Sequence, residues 1–396
     1  MKYIIDFHNH ISQDDIDNYF AEINASVIKN FSKFEKTYLV ECSSAPVLNG
    51  NLHNHIIDDD SDTLRLLSTT VMSDQTWYTK KLDGEVLTIS TTNTNDWWKN
   101  YIVLHPEFDS PEYKIDRKGE GYTVYVLDSG CEVTHPEFVG RPVTNLFSFN
   151  NDFTDTNGHG TAIASVITGL TCGITDATVK SVKIFHDGIP IRQSDLVNAL
   201  DAIAADFYAS DMEFAIINCS WTINKKLFIE QKLQSLINMG MIVVAAAGNS
   251  GIPIENVTPA SMEEAITIGS YGESLTPSTF SDYSNSPISV TPDATNHGAL
   301  DGWAPGENIY CAGLGGTYNT ISGTSIAAGI QSAVCAYNLS KETLDYQLSN
   351  TLHSYIKNLS LMRSNLLDLS DPKYQYSQNL VSTLVDYVDV PTNSIK

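Results

Sequence analysis

An α/β fold is predicted for most of this chain: a parallel β-sheet flanked by helices, with a small N-terminal α+β domain in front of it. Three observations predict it. Near-continuous apolar runs of strand length recur at 122–127, 179–185, 214–218 and 241–247, as expected of strands buried on both faces. Between the second and third runs, Leu196, Ala199, Leu200, Ile203 and Phe207 recur at helical spacing behind Ser194, which is placed to cap the helix start. Strand and helix patterns that alternate in this way imply a parallel sheet covered by helices. A polar, hydroxyl-rich stretch at 88–96, without apolar periodicity, divides this region from residues 1–95.

In the first 95 residues the patterns differ. A strand is expected at 2–7, a polar-faced helix at 13–29, a strand at 35–41, a helix at 61–67 and a strand at 85–90. The larger remainder then spans 96–396 and opens on Trp97-Trp98-Lys99-Asn100-Tyr101-Ile102.

Composition sets the outer limits. The 396 residues carry 23 basic and 47 acidic side chains, a formal charge of −24. Such a surface repels phosphate backbones and anionic lipid, so neither nucleic acid nor membrane is an expected partner. No stretch reaches the ~20 apolar residues of a membrane-spanning helix. Asp6 and His8 interrupt the first apolar run too early for a secretory leader, so an intracellular or virus-associated setting is expected. The six cysteines form no CxxC pair, which favours a reduced compartment.

Four short words carry chemistry: Asp128-Ser129-Gly130, Asn157-Gly158-His159-Gly160-Thr161, Ala246-Ala247-Gly248-Asn249 and Gly323-Thr324-Ser325-Ile326-Ala327-Ala328. Asp128 follows an apolar run, which places it at the carboxyl end of a parallel strand, where ligands gather in open α/β sheets. His159 lies between two glycines at an expected helix start, and Ser325 opens an apolar helical run reaching Tyr337. A serine hydroxyl is a weak nucleophile until a base takes its proton, and an imidazole held by a carboxylate is such a base.

These words and their order resemble the subtilisin-like serine proteases, most closely the proteinase K-like branch. The resemblance implies catalytic Asp128, His159 and Ser325, with the Asn249 amide and the Ser325 backbone N–H as oxyanion donors. It implies a substrate cleft lined by Ser220, Trp221, Thr222, Ala247, Gly248 and Val257, with a cis X-Pro bond at Pro259. It further implies that residues 1–95 form a propeptide-like inhibitor and folding aid, removed by self-processing near 88–97. Polypeptides are the implied substrates, and the chemistry asks for no cofactor, although acidic loops leave structural Ca²⁺ open.

The chain departs from the family pattern at four places. Ala162 stands for a second His, Ile163-Ala164-Ser165 for Val-Ala-Gly, Thr222 for Gly, and Gly329 for Pro. Gly329 is expected to loosen the start of its helix. The departures keep an alternative open, a slow or inactive structural component of this fold that retains its N-terminal domain. Asp6-Phe7-His8-Asn9-His10 and His53-Asn54-His55 mimic metal-binding words; no catalytic metal is expected there, because such enzymes need a barrel of ~250 residues.

Overall fold

The computed structural model describes residues 1–31, 34, 36–43, 45–47, 52–58, 65–66, 69–71, 87–90, 97–103, 112–115, 117–187, 191–210, 212–285, 300–341, 361–363, 367–374 and 380–382. At the N-terminus, β1 (Lys2–Phe7) is followed by α1 (Gln13–Glu22), β2 (Ser26–Asn30), β3 (Thr37–Glu41) and β4 (His53–Asp58). These strands form an antiparallel sheet in the order β2-β3-β1-β4. The helix expected over 13–29 is shorter. Ser12 caps its start by accepting from the Asp15 N–H, and Asn24 at φ 52° ends it. Asn tolerates that left-handed conformation, and the β-branched Val27 and Ile28 beyond it enter a strand.

Two short strands, β5 (Arg65–Leu66) and β6 (Thr69–Val71), follow. Arg65 and Leu66 are therefore strand where a helix over 61–67 is expected; the rest of that span lies outside the described residues. Next come β7 (Leu87–Ser90), α2 (Trp97–Val103) and β8 (Glu112–Ile115), with β7 and β8 paired antiparallel. Residues 88–90 of the expected linker thus belong to a strand, and 91–96 lie outside the described residues.

The large domain is built from β9 (Thr123–Asp128), β10 (Val143–Ser148), α3 (His159–Thr168), β11 (Thr178–Lys183), α4 (Gln193–Ala209), β12 (Ala215–Cys219), β13 (Trp221–Asn224), α5 (Leu227–Asn238) and β14 (Met241–Ala246). It continues through β15 (Val257–Thr258), β16 (Ile266–Tyr271), β17 (Gly302–Pro305), β18 (Ile309–Ala312), β19 (Tyr318–Ser322) and α6 (Thr324–Lys341), then β20 (Leu361–Arg363) and β21 (Leu380–Ser382). The central sheet runs β10-β11-β9-β12-β14-β16-β17, all parallel, and β21 and β20 extend its far edge. The four apolar runs are β9, β11, β12 and β14, each within a residue or two of its expected limits. On one face lie α3 and α6 with Trp97, Trp98 and Ile102; on the other lie α4 and α5. The helix expected behind Ser194 starts two residues earlier, at Gln193 with Arg192 as its cap, where the Asp195 carboxylate accepts from the Arg192 N–H. All six cysteines are buried free thiols, and among the described residues no helix is long and apolar enough to cross a membrane.

The N-terminal sheet uses both of its faces. Tyr3, Ile5, Phe7, Tyr38 and Val40 pack on Ile16 and Phe20 of α1. Ile4 and Leu39, with Phe31 and Phe34, join the core formed by α4 and α5. Asp6 shares that second face through the strand's alternation, and its carboxylate meets Lys232 of α5 at 2.8 Å with both side chains buried. Thr37 Oγ1 accepts from Lys232 at 2.8 Å and donates to Asp6, while the ammonium lies 5.3 Å from the Phe34 ring centre and 5.0 Å from that of Phe228. Asp6 is thereby committed to a lysine, and His8 and His10 stack on each other at 5.4 Å.

Breaking a buried pair by removing one partner costs about 3–5 kcal/mol, whereas replacing both with apolar groups is nearly neutral. Asp6→Ala should therefore lower the denaturation midpoint markedly, and Asp6→Leu with Lys232→Met should restore most of it, as read by urea unfolding.

Candidate functional site

Asp128 is the last residue of β9, the strand from which the chain adds β11 on one side and β12 on the other. This is the topological switch point, where the strand ends open a crevice. The Asp128 carboxylate is fully buried and lies 2.7 and 2.9 Å from His159 Nδ1. His159 is the first residue of α3, entered through Gly158 at φ 86°. Its Nε2 is buried and has no hydrogen-bond partner among the described residues.

Gly160 makes the approach of the two residues feasible. A Cβ at this position would run into the Gly130 carbonyl oxygen and come within 3.0 Å of the Asp128 Cβ. Asp155, which the sequence words do not single out, ties the pieces together. Its carboxylate accepts from Ser129 Oγ at 2.9 Å, from the backbone N–H of Asn157, Gly158 and Thr161, and from Thr161 Oγ1 at 2.6 Å. Ser129 Oγ in turn accepts from the Gly160 N–H at 3.0 Å. The sequence signal was an Asp two residues before the Asn-Gly-His word, a position that favours caps and turns.

Ser325 is buried in the first turn of α6. Ser220 Oγ donates to the Ser325 carbonyl at 2.9 Å and accepts from Asn218 Nδ2 at 2.8 Å, while Ser332 Oγ donates to Asn218 Oδ1 at 3.0 Å. Asn249 follows β14 closely, and its Oδ1 accepts from the Thr324 N–H at 2.9 Å and from Thr324 Oγ1 at 2.8 Å. This uses the oxygen end of the amide, so the NH₂ end is the one left to donate. The Gly248 N–H donates to Thr324 Oγ1 at 3.1 Å, which closes the link between the β14 loop and α6.

Two of the departures from the family pattern, Gly329 and Ser165, have local reasons. Gly329 faces α3, and a Cβ there would sit 3.2 Å from methyl groups of both Ile163 and Val166. It serves close helix contact rather than a loose helix start. Ser165 Oγ accepts from the Ala312 N–H of β18 at 3.0 Å and donates to the Ala162 carbonyl at 2.7 Å. Beside the cleft, β13 pairs antiparallel with β15 on one edge and with β5 on the other. Trp221 sends its side chain into the core over α4 and α5, so what it offers the cleft is backbone. Thr222 and Val257 are half-buried, Ala247 is buried, and Thr258-Pro259 is cis.

Under the Asn249 loop sits Asp282. Its Oδ1 accepts from the Ser250 and Ile252 N–H groups at 2.9 Å, and a side chain at Gly248 (φ 125°) would collide with Oδ2. Burial pushes this carboxyl up to about 6, against the pull of its backbone donors. In the segment Thr134-His135-Pro136-Glu137-Phe138, Glu137 shows the reverse balance. Burial opposes its charge, but hydrogen bonds from Cys172 N–H, Thr171 and Tyr318 OH outweigh it and hold the carboxyl below its ordinary range.

Residues 119–371 match the model of the subtilase family, peptidase S8. This chain belongs to the subtilase family. Among its curated relatives, alkaline protease 1 of Aspergillus clavatus is 33% identical over 262 residues, 65% of this chain and 60% of that protein. Subtilisin-like protease 2 of Trichophyton equinum is 35% identical over 248 residues, 61% of this chain and 55% of that one. The chain thus spans about 60% of the length of the curated relatives it matches. A solved cold-adapted subtilisin-like serine proteinase superposes with a TM-score of 0.61 at 25% identity, covering 73% of this chain and 98% of its own. The fungal relatives agree with the proteinase K-like branch of the subtilases.

A carboxyl whose folded pKa is raised adds stability when protonated, and that contribution is lost as pH rises through the folded value. For Asp282 the window runs from about 4, its unfolded value, to about 6. Asp282→Asn keeps the acceptor oxygen, so its melting temperature should gain on wild type across this window and hold a constant lead above it. A lead independent of pH in thermal scans would separate the loop from this ionisation.

Proposed function

We propose that this subtilase is a serine endopeptidase acting through Asp128, His159 and Ser325. The observation that carries the reading is the buried Asp128–His159 contact at the sheet's switch point, with Nε2 left for proton transfer. Asp128 fixes the Nδ1–H tautomer and stabilises the imidazolium that forms when Nε2 takes the Ser325 hydroxyl proton. Ser325 Oγ then attacks the peptide carbonyl. The oxyanion is met by the Asn249 amide, oriented by Thr324, and by the Ser325 backbone N–H at the start of α6. The proton passes to the leaving amine, and water hydrolyses the acyl-enzyme by the same steps in reverse.

The substrates are polypeptides lying in extended form against β13. Half-buried Thr222 and Val257 narrow the space before the scissile bond, which favours small or medium apolar side chains there. No cofactor enters the chemistry. The N-terminal domain acts as an intramolecular inhibitor and folding aid, held on α4 and α5 through Asp6 and Lys232, and the enzyme processes itself. The linker at 88–97 is the place the sequence singles out for that cut.

A fluorophosphonate probe should label wild type at Ser325 and leave Ser325→Ala unlabelled. On a peptide substrate, Asp128→Asn should lose about 10⁴-fold in kcat, and Asn249→Ala about 10²–10³-fold with KM little changed. Strong cleavage after Arg or Lys in a peptide library would overturn the pocket assignment alone.

A further inference from the structure

The direction in which Asn249 projects its amide is set by the two peptide planes that meet at its α-carbon. Both planes are bonded to one residue, Asp282. Before Asn249, the Gly248 carbonyl accepts from the Asp282 N–H at 2.9 Å. After it, the Ser250 N–H donates to Asp282 Oδ1 at 2.9 Å, and the Ile252 N–H donates to the same oxygen at 2.9 Å. Oδ2 takes the space that a side chain at Gly248 would fill.

Asp282 is itself anchored. Its side chain is buried, and its own carbonyl accepts from Ser281 Oγ at 3.1 Å. Ser281 Oγ in turn accepts from the Ser270 N–H of β16 at 3.2 Å, and β16 pairs with β14, the strand that leads into Asn249. The bonds therefore close a ring through the central sheet. Thr324 holds only the far end of the Asn249 side chain. It turns the amide, whereas Asp282 sets the backbone from which the amide projects.

From the contacts on either side of Asn249, and resting on the peptidase reading above, we infer that Asp282 is a positioning residue for catalysis, its carboxylate holding Asn249 where the NH₂ group meets the oxyanion. A donor of this kind acts through its placement, and a misplacement of about 1 Å can cost about 10²-fold in rate. Asp282→Ala releases the Ser250 and Ile252 N–H groups while the main-chain bond to Gly248 stays. A loss transmitted through Asn249 has a ceiling, the ~10²–10³-fold that follows removal of such a donor.

The experiment measures kcat and KM on a peptide substrate for Asp282→Ala and Asp282→Asn, and repeats Asp282→Ala in the Asn249→Ala variant, with urea midpoints as the folding control. With Asn249 present, Asp282→Ala should lose about 10- to 10²-fold in kcat with KM little changed. Asp282→Asn keeps an acceptor oxygen for the same N–H groups and should recover most of that loss. In the Asn249→Ala variant, Asp282→Ala should cost nothing further. If Asp282→Ala does not fold, Asp282→Ser, whose hydroxyl lacks the reach of a carboxylate, takes its place with the same expected pattern. An unchanged kcat, a loss carried by KM, no recovery by Asp282→Asn, or an equal loss without the Asn249 amide overturns the inference and leaves the peptidase reading standing. A wild type that no fluorophosphonate labels overturns that reading, and the inference with it.

Discussion

How closely α3 can approach the end of β9 is the constraint on which this structure depends. The two elements meet at backbone distance, which requires Gly160 to lack a side chain beside the Gly130 carbonyl. That contact brings a buried carboxylate and a buried imidazole within 2.7 Å. Burial makes the geometry consequential, because a charge removed from water must find fixed partners. Asp155 supplies the fixing. It collects donors from both sides of the contact, so the exit of β9 and the start of α3 behave as one unit.

A second unit is organised in the same manner. Thr324 is shared between the Asn249 amide and the Gly248 N–H, which ties the end of β14 to the start of α6. Gly329 then lets α6 lie against α3. Each of the two units is local, and helix packing across the sheet face sets their relative position. The chemistry proposed here needs that registration more than it needs any single strong interaction.

Much of this was legible in the sequence, for identifiable reasons. The strands buried on both faces announce themselves as unbroken apolar runs, and the words around Asp128, His159, Asn249 and Ser325 are confined to a few residues each. Other features carry no local signature. Lys232 reads as a polar residue on an amphipathic helix until Asp6, 226 positions away, is folded against it. Asp282 reads as a loop acid until burial raises its proton affinity. The strands at 65–66 and 69–71 are too short for periodicity to reveal, since their partners lie far along the chain. Gly329 looks like a weak helix residue because propensity is local and its contact with α3 is not.

Lys232 places a charge within the apolar face shared by the two domains, and this bears on how they could part. Ile4, Phe31, Phe34 and Leu39 cover apolar side chains of α4 and α5, a face that would invite aggregation if simply bared. Lys232 sits within that cover, its stem against aromatic rings and its ammonium held by Asp6. Lifting the sheet returns the ammonium to water, and its hydration offsets part of what the bared carbons lose. The helices left behind would then present a wettable centre instead of an unbroken greasy one, which lets the same surface bind its cover firmly and still tolerate solvent alone.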